Sequence, residues 1–133
     1  MTRYLLDTNI VSDLVRRPQG VAARHIERVG EASIATSIIV AAELRFGAEK
    51  KGSRQLTDRI NAILDVIEIL PFESPADTAY GAIRANLEKA GRTIGANDLL
   101  IAAHALALGH TLVTDNEREF RPVPGLSIVN WLR

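Results

Sequence analysis

The 133-residue chain contains no cysteine. That excludes disulfides and thiolate metal sites, leaves the fold to rest on its hydrophobic core, and fits a reducing, cytoplasmic setting. No apolar run reaches the ~18 residues that a membrane span needs, and the N-terminus carries no signal-peptide pattern, so no membrane attachment is expected. Charge of one sign is not in excess either: 16 Lys and Arg balance 16 Asp and Glu, which argues against a polybasic nucleic-acid binder. Repeats, linkers and low-complexity segments are absent. So is the Gly-rich Lys-Ser/Thr loop of P-loop NTPases. Three histidines are present, but His104 lies in an apolar helical run and His110 in a turn. Neither has the spaced partners of a His-based nuclease.

What remains is ordinary soluble-protein composition, with 47% hydrophobic and 24% charged residues. The length predicts one domain over 1–133, burying roughly 70% of the surface of its unfolded chain. Strands are expected at Arg3–Leu6, Ala32–Thr36, Val66–Leu70, Thr111–Thr114 and Leu126–Val129. Between them the spacing predicts helices at Ile10–Arg17, Val21–Val29, Ser37–Lys51, Arg54–Leu64, Pro75–Ala90 and Asn97–Leu108. Pro18 and the glycines at 52, 91 and 109 supply the helix stops. Strands separated by helices imply parallel pairing with right-handed crossovers, hence a helix-flanked α/β sheet.

Four acids occupy unusual places in this pattern. Asp7 ends the first strand in "YLLDTN", and Asp115 repeats that position after "TLVT". Either could simply start a turn or cap a helix. Glu43 has Ile39, Val40, Phe46 and Gly47 as helical neighbours, a costly setting unless it reaches solvent or binds a cation. Asp98 opens an apolar helix, where the macrodipole favours an acid in any case. Taken together, strand ends and helix starts can converge on the carboxyl edge of a parallel sheet, where such folds bind ligands. Crowded carboxylates repel, so a four-acid cluster calls for protonation or a hard cation such as Mg²⁺ or Mn²⁺.

The ordered segments "LLDTNI", "AAELRFGA", "IGANDLLIAAHALALGHTLVTDNEREF" and "VPGLSIVNW" closely resemble PIN-domain proteins, in particular the VapC toxins of bacterial toxin–antitoxin pairs. The resemblance spans essentially the whole chain. It implies a three-layer α/β/α sandwich around a parallel sheet and a Mg²⁺-dependent endoribonuclease, with Mn²⁺ as a substitute. The family acids fall on Asp7, Glu43 and Asp98. For the fourth, many PIN domains show Thr-x-Asp-x-x-Phe, whereas this chain has Asn116 at the Asp position. Asp115 or Glu119 is left to supply the carboxylate, and Asp115 is preferred because it directly follows the strand. Thr8 and Asn9 are expected to cap the next helix and orient Asp7, with Thr114 and Asn116 supporting the far side.

If four acids hold metal, 16 bases face the other 12 acids, a balance that suits RNA phosphates. Thirteen of the bases are Arg, whose planar fork of donors matches phosphate. Arg45, Arg84, Arg92, Arg118 and Arg121 are candidate rim contacts. The resemblance also implies a homodimer, a VapB-like antitoxin as partner in a hetero-oligomer, and structured RNA such as tRNA as substrate. Apolar residues of "IVSDLV" and "IIVAAELRFGA" are candidates for the antitoxin groove, the dimer face or ordinary core. Two other classes stand beside this reading. Aspartyl-phosphate phosphatases follow their first strand with Asp-x-Asp, but the second position here is Asn9. A PIN-like module that binds RNA or protein without cutting would share the fold and could lose any of the acids.

Overall fold

A computed structural model describes residues 1–133. Five parallel strands form one sheet: β1 (Tyr4–Leu6), β2 (Ile34–Ser37), β3 (Glu68–Leu70), β4 (Thr111–Val113) and β5 (Ile128–Val129), in the order β3-β2-β1-β4-β5. Between β1 and β3 run α1 (Thr8–Arg16), α2 (Val21–Val29), α3 (Ile38–Lys51) and α4 (Arg54–Val66). Then α5 (Ala76–Lys89) and α6 (Ala96–Leu108) lead to β4, and the short α7 (Glu117–Phe120) precedes β5. Helices α1 to α4 pack among themselves, while α5 and α6 form a tight antiparallel pair. Right-handed crossovers assign these two groups to opposite faces of the sheet. The result is the expected α/β/α sandwich.

Central strands of such a sheet are covered on both sides and read as continuous apolar runs. Leu5, Leu6, Leu112 and Val113 are accordingly fully buried, and Ile10, Val40, Ile101 and Phe120 close over them from the helices. Each such side chain contributes about 1.5–3 kcal/mol through burial. Gly109 takes φ 69° to end α6, its N–H meeting the Ala105 and Leu106 carbonyls, so that the chain can turn back into β4. Gly52 does the same after α3, at φ 64°.

Four details differ from the sequence-based expectation. Val66 is the last residue of α4 and largely exposed, so β3 begins only at Glu68. A β-branched run is no bar to a helix whose buried face, here Ile60 and Leu64, already fixes it. Ala32 lies in a 3₁₀ turn, Glu31–Ser33, closed by Ser33 N–H on the Gly30 carbonyl. At the C-terminal edge, β5 pairs only through Ile128 and Val129. Finally, α7 carries no sequence periodicity because a single turn is too short to show any.

The order of strands matters for function. From β1 the chain moves outward to β2 and β3, then crosses to β4 and moves outward the other way to β5. The carboxyl ends of β1 and β4 therefore flank the crevice where open α/β sheets bind ligands. No helix is long and apolar enough to cross a membrane.

Candidate active site

Asp7 sits in that crevice. Its N–H bonds the Val113 carbonyl at 2.9 Å, and its side chain is only 2% exposed. Oδ1 accepts the Thr8 N–H at 2.8 Å, which makes Asp7 itself the N-cap of α1. Oδ2 accepts the Thr114 hydroxyl at 2.8 Å and has a longer contact, 3.4 Å, with Asn9 Nδ2. The cap expected of Thr8 and Asn9 thus belongs to Asp7, because the extended backbone precedes Thr8 and the first turn already contains Asn9. Thr8 instead donates its hydroxyl to Glu43 Oε1 at 2.6 Å, and Asn9 accepts the Asp115 N–H at 3.0 Å. Asn9 links the ends of the two central strands.

Glu43 projects from the second turn of α3, half-buried, and its other oxygen meets Asn97 Nδ2 at 3.3 Å. Asp98 stands in the first turn of α6, where its Oδ2 has one long contact, 3.4 Å, from Asn116 Nδ2. Burial raises the Asp7 carboxyl above its ordinary value, against the stabilising bonds from Thr114, Thr8 and Asn9, and Glu43 adds repulsion. Asp98 is pushed up to about 6, first by burial and then by the charges of Asp7, Glu119 and Glu43. Few donors compensate it, so like charge and desolvation prevail.

The two candidates for the fourth acid separate clearly. Asp115 turns its half-exposed carboxylate away from the others. Its Oδ1 accepts from Asn130 Nδ2 at 3.0 Å and Arg133 Nε at 3.2 Å, and these bonds hold the group below its ordinary range. Glu119 instead lies on α7, its Oε1 accepting the Gly95 N–H at 2.7 Å. The point where a Gly95 Cβ would stand is 3.7 Å from Asp98 Oδ2 and 3.9 Å from Glu119 Oε1. The geometry therefore groups Glu119, not Asp115, with Asp98. The reason is the short helix: one turn after Asn116 carries residue 119 back over the start of α6. Asn97 and Asn130 were not singled out from the sequence, since an Asn carries no signal until its partner is known.

No three His, Asp or Glu side chains close on one point as a complete ligand cage. The groups that do gather are carboxylate oxygens and the hydroxyls of Thr8 and Thr114, an oxygen set suited to a hard divalent cation. Mg²⁺ commonly uses one or two carboxylates and keeps several waters, so an open arrangement fits a partly hydrated ion.

Comparison with known proteins agrees with this fold. Residues 4–126 match the PIN domain family. Ribonuclease VapC2 of Rickettsia felis is 39% identical over 130 residues, covering 96% of this chain and 97% of the relative. The chain belongs to the VapC family of PIN-domain ribonucleases. Another relative, the tRNA(fMet)-specific endonuclease VapC of Shigella flexneri, is 35% identical, with coverage of 98% and 99%. Among solved structures, VapBC2 from Rickettsia felis bound to a DNA fragment from their promoter superposes with a TM-score of 0.89, at 37% identity and coverage of 98% and 99%.

The candidate rim arginines divide by surroundings. Arg45 is held by Asn61 at 2.6 Å, Arg84 by Glu88 and Tyr80, and Arg121 by Glu117 at 3.5 Å. Arg92 and Arg118 are exposed and their guanidinium groups have no protein partner. In "IVSDLV", Ile10, Val11 and Leu14 are core. Val15 and Leu44 line a cavity of about 290 Å³ between α1, α3 and α4, with Glu43 and Arg16 at its rim, while Phe46 is 67% exposed.

Proposed function

We propose that this chain is the toxin of a toxin–antitoxin pair and hydrolyses phosphodiester bonds in structured RNA, with Asp7, Glu43, Asp98 and Glu119 as its acidic centre. The observation that carries the reading is the pairing of a buried, firmly bonded Asp7 with a weakly bonded Asp98 across the β1–β4 crevice. A structural capping acid needs no such partner.

Asp7 and Glu43 would anchor Mg²⁺, or Mn²⁺ in its place, and Asp98 would complete the site. Bound there, the cation supplies Lewis acidity and offsets charge building on the phosphate. Thr114 and Thr8 fix the two anchoring carboxylates in orientation, which is what an in-line attack requires. Asp98, with only the 3.4 Å contact, is free to accept the proton of the attacking water at Oδ2. Water adds to phosphorus with loss of a proton to Asp98, the bond to the 3′-oxygen breaks, and that oxygen takes a proton from solvent. The products are a 5′-phosphate and a 3′-OH, and the ribose 2′-OH takes no part.

The tRNA specificity in the name of the Shigella relative supports a tRNA-like substrate. The VapBC complex of the Rickettsia structure supports a VapB-like antitoxin, whose tail we place in the α1–α3–α4 cavity beside Glu43. A homodimer, a cytoplasmic location and one catalytic domain over 1–133 belong to the same reading. The test is cleavage of end-labelled RNA. Activity should vanish with a chelator and return with Mg²⁺ or Mn²⁺. Undiminished cutting in chelator, with 2′,3′-cyclic ends, would refute it. RNA binding without any metal-dependent cutting would instead identify a non-catalytic PIN-like module.

A further inference from the structure

A second concave site lies beside Asp98 and takes no part in the acidic centre. Between α5, the loop that follows it and the start of α6 lies a cleft of about 220 Å³. Its floor is apolar, with Leu87, Ile94 and Leu99, and its rim carries Tyr80, Arg84 and Arg92. The volume is below that of pockets for drug-sized ligands.

The two guanidinium groups are presented differently. Arg84 is fixed: Nε donates to Glu88 Oε2 at 2.9 Å and Nη1 to the Tyr80 hydroxyl at 3.0 Å. Its Nη2 remains unpartnered. Arg92, just beyond the α5 terminus, has no side-chain partner at all. Glu88 thus orients one cation without touching the other, and the rim keeps a positive excess. Ala96 and Leu99, which line the cleft, bracket Asp98 within one helical turn. The cleft therefore adjoins the first turn of the helix that carries Asp98.

We propose that this cleft holds a nucleotide flanking the scissile bond, with Arg92 and the free Nη2 of Arg84 on its phosphate and the apolar floor against its sugar and base. The inference rests on the ribonuclease reading above. Planar guanidinium groups match phosphate, and an aromatic side chain at the rim gives a sequence-tolerant face for a base. The acidic centre repels RNA in the absence of metal, so a cationic foothold next to it has an evident use. It lets substrate dock before the reactive phosphate is engaged.

Binding can be separated from cutting in the Asp98→Asn variant, titrated into end-labelled unfractionated tRNA and followed by fluorescence anisotropy. Adding Arg92→Gln or Arg84→Gln should weaken binding roughly tenfold each, the loss of a charge-assisted contact. The slope of log affinity against log salt should fall by about one for each. Arg59→Gln, on the exposed side of α4, should change neither. In the Asp98-containing enzyme, the same Arg variants should raise KM and leave kcat nearly intact. Unaltered tRNA affinity in both Arg variants overturns the proposal. So does weakened affinity that sedimentation velocity traces to loss of a dimer, which would make the cleft a contact between copies of this chain. An Asp98→Asn protein that binds no tRNA overturns the ribonuclease reading as well.

Discussion

Two segments of this chain are alike in sequence and opposite in their surroundings. "YLLD" and "LVTD" each carry an aspartate past a central strand, directly after β1 but one residue further on after β4, and the two strands are neighbours in the sheet. Asp7 is 2% exposed, bonded on both oxygens and crowded by other acids. Asp115 is half-exposed and neutralised by Arg133, with Asn130 tying it to the C-terminal segment. The difference lies in a one-residue offset, since Leu6 pairs with Val113 and Thr114 is the next residue after it, and in how the chain continues past each aspartate. After Asp7 a helix starts at once, so the carboxylate caps it and stays in the crevice. After Asp115 the Asn116 N–H bonds back to the Thr114 hydroxyl at 2.9 Å before α7 begins. That turn swings Asp115 outward and brings Glu119 in.

The sharpest way to break this contrast is to neutralise each acid in turn. Asp7→Asn should lower turnover on end-labelled RNA by two orders of magnitude or more, since it removes a ligand charge. Asp115→Asn should stay within about threefold of wild type, because it loses only a screened surface pair. Glu119→Gln should fall between them, at least roughly tenfold down, consistent with a charge facing Asp98. Equal losses for Asp115→Asn and Glu119→Gln would remove the distinction between the two. A full loss in Asp115→Asn alone would reinstate it as the fourth acid.

These outcomes bear on how far the sequence could be read. The alternation of elements, the parallel sheet and the positions of Asp7, Glu43 and Asp98 were legible because each depends on local pattern and short-range topology. The fourth acid was not. "TDNEREF" offers three carboxylates in seven residues, and only the turn at Asn116 and the four-residue α7 decide which one faces Asp98. Likewise the bond from Thr8 to Glu43 joins residues 35 apart. Hydrophobic periodicity carries no information about such a pairing. The cap assigned to Thr8 and Asn9 was off by one residue for a simpler reason: Asp, Thr and Asn are all good caps, and only backbone angles choose among them.

A smaller effect tests how Asp7 is held. Thr114 is fully buried and donates to Asp7 Oδ2, whereas nothing comparable fixes Asp98. Thr114→Val keeps the shape and removes the hydroxyl, at a cost of about 1.5–3 kcal/mol for a bond to a charged group. Turnover should drop roughly tenfold, and the Mg²⁺ concentration for half-maximal activity should rise. Unchanged metal dependence would mean that Asp7 is oriented by Thr8 and Asn9 alone.

The smallest expected effect is one of sign, and it sets Asp98 against Asp115 in the metal-free protein. Asp98 has a folded pKa near 6, above the ordinary 3.8. Its contribution to stability is therefore fully present below 3.8 and is lost as pH rises through about 6. Asp115 is shifted downward, so its contribution is present above 3.8 and is lost as pH falls below it. With chelator present, wild type should lose stability between pH 4 and 7 through Asp98, on the order of 1 kcal/mol once solvent screening of this half-exposed group is allowed for. Asp98→Asn should flatten that slope and melt a few degrees higher than wild type at pH 7.5. Against it stands the first-turn position of Asp98, where the helix dipole favours an acid by about 0.3–1 kcal/mol. We expect desolvation and three neighbouring acids to outweigh the dipole. Asp115→Asn should lower the melting point slightly at pH 7.5 and leave the slope between pH 4 and 7 unchanged. Adding Mg²⁺ should then stabilise wild type by mass action and the Asp98→Asn variant much less. Thermal melts across this pH range decide the matter. A lower melting point for metal-free Asp98→Asn, with no Mg²⁺ response in wild type, would make Asp98 a helix-start acid and nothing more.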